Sequence, residues 1–146
     1  MMRVITSLFV ALTLLEATAP ATQAQAADGP VYVAYFWRAK PGQADAYNDY
    51  IKGTAEKIDE NARQAGVFDE VVTVTPSQMG TSTAIVDWTH LRIFKLKNRA
   101  AAEALGKGLD AATVRVVPDE AQRKRNSDRS ATLRDFVRQE IWTALR

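Results

Sequence analysis

Residues 31–40 (VYVAYFWRAK) constrain the fold more than any other stretch, because they are apolar on both alternating faces of a strand. Val, Tyr, Phe and Trp favour a pleated, packed surface, which predicts a β-strand. One parity carries Val31, Val33, Tyr35, Trp37 and Ala39, and the other carries Tyr32, Ala34, Phe36, Arg38 and Lys40. A strand with two apolar faces must be covered on both sides. A helix can cover one face, and the second face requires another partner.

The next segment has the period of an amphipathic helix. Pro41-Gly42 ends the strand, and Gly66 is a natural helix stop. Between them the apolar positions recur in steps of three and four residues: Ala44, Tyr47, Ile51, Ala55, Ile58, Ala62 and Ala65. This stripe predicts one helix of about six turns whose apolar side packs on the strand.

The remaining elements complete a small antiparallel sheet. Residues 67–75 and 83–96 are predicted as two strands joined by a short connection, which makes them an antiparallel pair. Asn98 is predicted to cap a helix over residues 99–105 that extends to 109. Residues 111–117 fit a strand or a loop, and Pro118 is predicted as the first residue of a surface helix. Residues 134–145 fit a last strand, although their spacing also suits a short helix.

The element order β-α-β-β-α-(α)-β predicts an α+β fold. It corresponds to a ferredoxin-like four-stranded antiparallel sheet with helices on one face. The other sheet face would then be open, yet residues 31–40 are apolar on both sides. A second copy packed sheet to sheet would bury that face at a two-fold interface, so we predict a homodimer.

The first residues follow the three-part pattern of a secretory signal. A positive start is followed by an apolar run over residues 4–15, and Ala24-Gln25-Ala26 supplies small residues at a cleavage position. Glu16 interrupts the run well short of the roughly 20 apolar residues that a spanning helix needs. Residues 1–26 are therefore predicted as a signal peptide cleaved after Ala26 or Ala27, and the alternative is an uncleaved anchor. The expected location is periplasmic or secreted, with no transmembrane segment after cleavage and a single domain over 31–146.

Composition excludes several classes of site. The chain has no cysteine and one histidine, so a disulfide framework and a structural zinc site are not expected. A net charge of +2 is too small to predict a nucleic-acid partner. The basic excess is local, between residues 115 and 138. It fits a solvated helix face or, alternatively, a surface that binds anions or lipid headgroups.

The strand, the Lys40-Pro41-Gly42 turn and a helix with Tyr47 in its first turns resemble the dimeric α+β barrel superfamily. That superfamily includes monooxygenase-like domains, stress-responsive barrel proteins and haem-degrading enzymes. The chain is most similar to small exported bacterial members without an assigned activity, which end on a segment like residues 137–142. The resemblance implies a fold and a dimer. Haem degradation would imply an Asn on the first strand, a Trp on the third strand and a His on the helix that follows. Trp88 can stand for the Trp, but the Asn and the His are absent, so no cofactor is predicted.

Trp88, His90 and Arg92 form the first candidate site. Counted along a strand they share one side with Phe94. His90 would be the general base, because it is the only imidazole and titrates near neutrality. Trp88 and Arg92 would place a small acidic or phenolic ligand in a barrel cavity. Alternatively, this side is covered by helices or lies at the dimer seam, and His90 is simply hydrogen-bonded there.

Four further residues are candidates for ligand contact. Arg138 and Glu140 share a parity on the last strand with Phe136 and Trp142. They would be an ion pair lining the same cavity or a rim pair of little energetic consequence. Tyr35 and Trp37 would be either core residues or a platform for a ligand.

Three functional hypotheses follow from these residues. The first is an exported homodimer that binds a small apolar or aromatic ligand. The second is a cofactor-independent monooxygenase-like enzyme using His90. The third is a protein that binds an anionic surface or a partner through the basic segment 123–138.

Overall fold

The computed structural model describes residues 29–76 and 86–145. The predicted signal peptide and the beginning of the predicted third strand lie outside these residues. The strands are β1 (Val31–Ala39), β2 (Glu70–Val74), β3 (His90–Leu96) and β4 (Arg134–Thr143). The helices are α1 (Ala44–Tyr50), α2 (Glu56–Gln64), α3 (Arg99–Val116) and α4 (Glu120–Leu133), and a π-helical turn (Ile51–Ala55) joins α1 to α2.

The four strands form one antiparallel sheet in the order β2-β3-β1-β4. The helices lie on one face, so the predicted ferredoxin-like α+β fold is confirmed. β1 is central and pairs with both β3 and β4. Within the described residues, no helix combines the length and the apolar character needed to cross a membrane.

The helix-side core is built from one parity of β1 and β3. Val33, Phe94, Leu96 and Leu105 are almost fully buried there, and α2 and α3 pack over them. A second cluster brings Tyr47 of α1 and Ile51 of the π-helical turn against Leu133 of α4. All four helices therefore cover the same face.

The π-helical turn changes which side chains of the first helix face the sheet. Tyr47, Ile51, Ala55 and Asp59 are all buried, each four residues after the last. In a regular α-helix such steps drift around the axis, and the wider π turn offsets that drift. Asp59, expected on the exposed side of a regular helix, therefore faces the sheet.

The last two helices differ from the predicted boundaries. α3 continues to Val116, so the segment that fitted a strand or a loop is mostly helical. Asn98 caps α3 as predicted, accepting a hydrogen bond from the backbone N–H of Ala101 at 2.9 Å. α4 is capped by the side chain of Asp119, and Pro118 lies before the cap instead of at the first helical position. The segment from Arg134 is a strand, which excludes the helical alternative.

The sheet face opposite the helices carries no helix in the part of the chain that the structure describes. Ala34 and Phe36 at its centre are buried by neighbouring side chains. Val72, Val74 and Trp142 remain exposed around them, and Val72 is 44% exposed. We call this surface the open face.

Candidate ligand-binding cleft

A cleft of about 220 Å³ lies between the helix side of the sheet and α3. Aromatic rings and charged groups form its walls together. The lining residues are Tyr35, Trp37, Arg92, Phe94, Gly106, Leu109, Asp110 and Arg134. No cluster of three or more Asp, Glu, His or Cys side chains within 29–76 and 86–145 is arranged to hold a metal ion.

Strand alternation and helix spacing bring these residues together. Tyr35 pairs with Arg92 across β1 and β3, so their side chains point to the same face. The rings of Tyr35 and Phe94 meet edge to face, with centroids 5.8 Å apart. Gly106 and Asp110 lie four residues apart on α3 and therefore share one side of the helix. Because Gly106 has no side chain, the wall opposite the aromatic residues stays open.

Arg92 is held at the cleft by partners on two elements. Its Nε donates to Oγ1 of Thr73 at 3.2 Å, and its Nη2 donates to Oδ2 of Asp59. Both side chains of the ion pair are buried. Burial raises the pKa of Asp59, and the positive charge of Arg92 opposes that rise. The carboxylate of Asp59 compensates the charge of Arg92 within the protein.

Arg134 is held by neutral groups. Its Nε donates to Oγ of Ser130 at 3.0 Å, and its Nη1 donates to the hydroxyl of Tyr47 at 2.6 Å. The guanidinium carbon lies 3.6 Å from the centroid of the Trp37 ring, which is a close cation–π contact. Among the described residues, no carboxylate forms an ion pair with Arg134.

His90 lies behind the cleft and does not line it. It is 2% exposed, and the centroid of its ring is 4.4 Å from that of Tyr47. Nδ1 is 2.8 Å from the hydroxyl of Thr89, and Nε2 is 3.0 Å from Oδ1 of Asn48. Since the Asn48 oxygen only accepts, Nε2 carries the proton in the neutral ring. Burial lowers the pKa of His90, and Arg134 lowers it further.

Trp88 is separated from Arg92, contrary to the predicted grouping. Its ring packs against Phe36 on the open face, with centroids 5.7 Å apart. The alternation rule fails here because β3 begins at His90, and residues 86–88 do not continue the strand. Trp88 and His90 do border one cavity of about 480 Å³ at this end of the sheet, whose walls include Pro76 and Val86.

Arg138 and Glu140 also lie on the open face, and neither lines the cleft with Arg92 or the cavity that His90 borders. Arg138 Nε donates to Glu140 Oε1 at 2.7 Å, and its Nη1 donates to Asp87 at 2.9 Å. Both side chains of the pair are partly exposed. The guanidinium carbon of Arg138 stands 3.9 Å from the Phe36 ring centroid and helps to bury that ring.

The basic segment 123–138 does not form one surface. Arg123 donates to backbone oxygens of Val117 and Pro118, and Lys124 pairs with Asp128. Arg134 faces the cleft, whereas Arg138 lies on the opposite side of the sheet. The basic side chains are therefore divided among three environments.

The cleft thus contains Tyr35, Trp37 and Arg92 from the predicted set, and it contains two charged residues that were not predicted. Asp110 was expected near the end of a helix, with no feature that marks it as a ligand contact. Arg134 was counted only among the basic residues. A signal for Arg134 does exist in the sequence, because it opens the strand that was predicted to pair within the aromatic sheet.

No model of a known protein family matches the sequence, and no curated protein matches it. Solved structures do resemble it. The crystal structure of HapK from Hahella chejuensis has a TM-score of 0.51 and 11% identity, over 79% of this chain and 92% of that one. An EthD-like protein from Ralstonia eutropha JMP134 has a TM-score of 0.49 and 11% identity, over 79% and 91% of the two chains.

An ethyl tert-butyl ether D (EthD) family protein from Bacillus halodurans C-125 has a TM-score of 0.46 and 8% identity, over 80% of this chain and 98% of that one. The likeness to HapK shows the fold alone. It agrees with the four-stranded antiparallel α+β arrangement described above.

Proposed function

We propose that this chain is an exported, homodimeric α+β barrel protein that binds a small aromatic ligand in the cleft between the sheet and α3. The lining of the cleft carries the proposal. Tyr35, Trp37 and Phe94 supply aromatic surface, while two guanidinium groups and Asp110 supply polar groups that converge on it. An apolar wall with a few placed polar groups is typical of small-molecule sites.

The volume of the cleft limits the size of the ligand. An apolar cavity of about 150 Å³ accommodates benzene. The cleft measures about 220 Å³, which suits one substituted ring. Ligands with several fused rings would require α3 to move away from the sheet.

Ligand binding can be tested with benzyl alcohol as a neutral one-ring probe. We expect chemical-shift changes confined to the cleft, including the indole N–H of Trp37. Gly106→Leu should abolish them, because a Cβ at Gly106 meets no atom within 4 Å and the added side chain would fill open space. Ala104→Leu, an exposed position on the same helix, is the matched control. The proposal fails if neither benzyl alcohol nor its acid counterpart benzoate shifts a cleft resonance, or if Gly106→Leu leaves the shifts unchanged.

The homodimer is supported by the open face. Val72, Val74 and Trp142 form an exposed apolar border around Phe36. In a two-fold arrangement, the same patch of a second copy would cover these residues. Sedimentation should give a dimer at micromolar concentration for the wild type and a monomer for Val72→Asp. Val114→Asp changes an equally exposed valine on α3 and should leave the dimer intact; a wild-type monomer would contradict the proposal.

Export is supported by the charged start, the apolar run and the small residues at 24–26. Expression in a Gram-negative host with intact-mass measurement tests it. We expect the chain to begin at Ala27 or Asp28 and to fractionate with the periplasm or the medium. A full-length mass in the membrane fraction would indicate the uncleaved anchor.

The enzyme hypothesis is not the one that the geometry favours. It requires His90 to meet a substrate, but both ring nitrogens contact protein groups and the side chain is buried. The hypothesis of an anionic-surface protein is weakened by the division of its basic residues between two faces of the sheet.

A further inference from the structure

We propose that the ligand is an aromatic compound with a single carboxylate, and that Arg134 is the residue that binds this acid group. This inference rests on the proposed function and specifies its ligand class. It follows from the charges around the cleft, from the free donor positions of its two arginines and from the place of Asp110.

The two arginines of the cleft differ in their ion pairing. Arg92 is compensated by Asp59, which is buried beside it. Arg134 contacts only hydroxyl groups and aromatic rings, so its charge has no protein counterion among the described residues. Asp135, its sequence neighbour, pairs instead with Lys40 at 3.6 Å. A partly buried guanidinium without a counterion favours an anion in the space beside it.

Arg134 is also fixed in position before a ligand arrives. Ser130 and Tyr47 hold two of its three nitrogens. Trp37 lies against the guanidinium, and the rings of Tyr47 and Tyr50 lie 5.1 Å and 6.0 Å from its carbon. Nη2 has no hydrogen-bond acceptor in the part of the chain that the structure describes. A donor whose orientation is already set loses little conformational entropy when it binds a carboxylate.

The other polar groups suit a carboxylate on a ring. Arg92 uses Nε and Nη2 for Thr73 and Asp59, and its Nη1 has no acceptor within residues 29–76 and 86–145. Burial raises the pKa of Tyr35, so its phenol stays protonated and can donate. Both arginines that line the cleft therefore keep a guanidinium nitrogen free to donate to a carboxylate.

Asp110 restricts the ligand to one acid group. It lines the same cleft from the exposed side of α3, and it forms no ion pair with Arg92 or Arg134 in the described chain. A second carboxylate beside it would be repelled. A hydroxyl or amine donor at that end of the ring would be accepted instead.

Benzoate and benzyl alcohol provide the test, because they share one ring and differ in charge. Wild-type protein should bind benzoate on the order of tenfold more tightly, the effect of one charge-assisted hydrogen bond. Arg134→Met should remove that preference, because the charge-assisted hydrogen bond to the carboxylate is lost. Arg129→Met removes an exposed arginine of α4 and should leave both affinities unchanged, which controls for net charge.

A crystal of the wild-type protein soaked in 4-bromobenzoate gives a measurement that needs no variant. The anomalous signal of bromine should lie in the cleft with the carboxylate next to Arg134. Equal affinity for benzoate and benzyl alcohol, or a preference that survives in Arg134→Met, overturns this inference and leaves the proposed function standing. Absence of binding by both probes overturns the proposed function as well.

Discussion

Arg92 on β3 donates to Asp59 on α2, and the two side chains form a buried ion pair beneath the helices. Asp59 reaches this position because the π-helical turn keeps the row Tyr47, Ile51, Ala55 and Asp59 on one side. The pair joins the helix to the sheet at the same place where Arg92 enters the cleft. Its strength therefore affects both the stability and the candidate site.

Removing one partner of this ion pair should lower the free energy of unfolding. Asp59→Ala leaves an uncompensated guanidinium in the core, and we expect a loss of about 3–5 kcal/mol in the free energy of unfolding. The double substitution Asp59→Leu with Arg92→Met removes both charges and should be close to neutral. Urea denaturation of the three proteins measures this. Glu60→Ala, in an exposed pair with Arg63, should have no measurable effect, and a similarly small effect of Asp59→Ala would contradict the prediction.

His90 should make stability depend on pH. Burial holds its pKa below that of the unfolded chain, so the unfolded state binds the proton first as the pH falls. The free energy of unfolding should be fully present above about pH 7.5 and decline through the ordinary histidine range near 6.5, until the folded-state pKa is reached.

The single histidine makes this measurement specific. His90→Gln should be less stable throughout, because it loses part of the bonding to Thr89 and Asn48, but the slope between pH 7.5 and 5.5 should be smaller. NMR titration of the imidazole gives an independent reading. A pKa for His90 above that of a histidine peptide would contradict the burial argument.

Two glycines of α3 should respond to alanine in opposite directions. Gly106→Ala gains roughly 0.5–1 kcal/mol of helix propensity and meets open space. At Gly108 a Cβ would stand 2.4 Å from Cγ1 and 2.9 Å from Cγ2 of Val67, a stiff branched side chain. Overpacking of this kind costs about 1–3 kcal/mol, which exceeds the propensity gain. The melting temperature should therefore rise for Gly106→Ala and fall for Gly108→Ala. Equal shifts would show that Val67 moves aside without a cost in stability.

The cap of α3 should contribute about 1 kcal/mol to the free energy of unfolding, and Asn98→Ala should remove this contribution. Asn98→Asp keeps an acceptor for the Ala101 N–H at a helix N-terminus and should retain the stability. Guanidinium denaturation compares the two variants. Loss of stability in both would indicate that the amide of Asn98 has a role besides capping.

The fold could be predicted from the sequence because the sequence signals for it are local. The two apolar faces of β1 and the stripe of the first helix are repeated over many residues, so single departures do not alter the conclusion. The length of α3 was missed because Gly106 and Gly108 have low helix propensity. Packing against the sheet, where Leu105 and Ala112 are buried, overrides that preference.

The site was harder to predict because it depends on single interruptions of regular structure. The pairing of β1 with β4 shifts between Phe36 and Trp37, so Phe36 pairs with Arg138 while Trp37 pairs with Phe136. One extra residue in β4 therefore places Phe136 and Arg138 on different faces, although they are two positions apart. Counting alternate residues along the sequence cannot detect such a bulge. The same limit applies to Trp88, because β3 begins only at His90 and Trp88 lies before it.

The central position of β1 has a consequence for the order in which the chain can fold. Its neighbours in the sheet are β3 and β4, both far along the chain, and β2, the strand that follows it in the described sequence, does not pair with it. While the protein is being synthesised, one edge of β1 stays unpaired until β3 has been made, and the other edge stays unpaired until β4 has been made. The strand made first is thus completed last, and long-range pairing of this kind forms slowly and leaves strand edges exposed in the meantime.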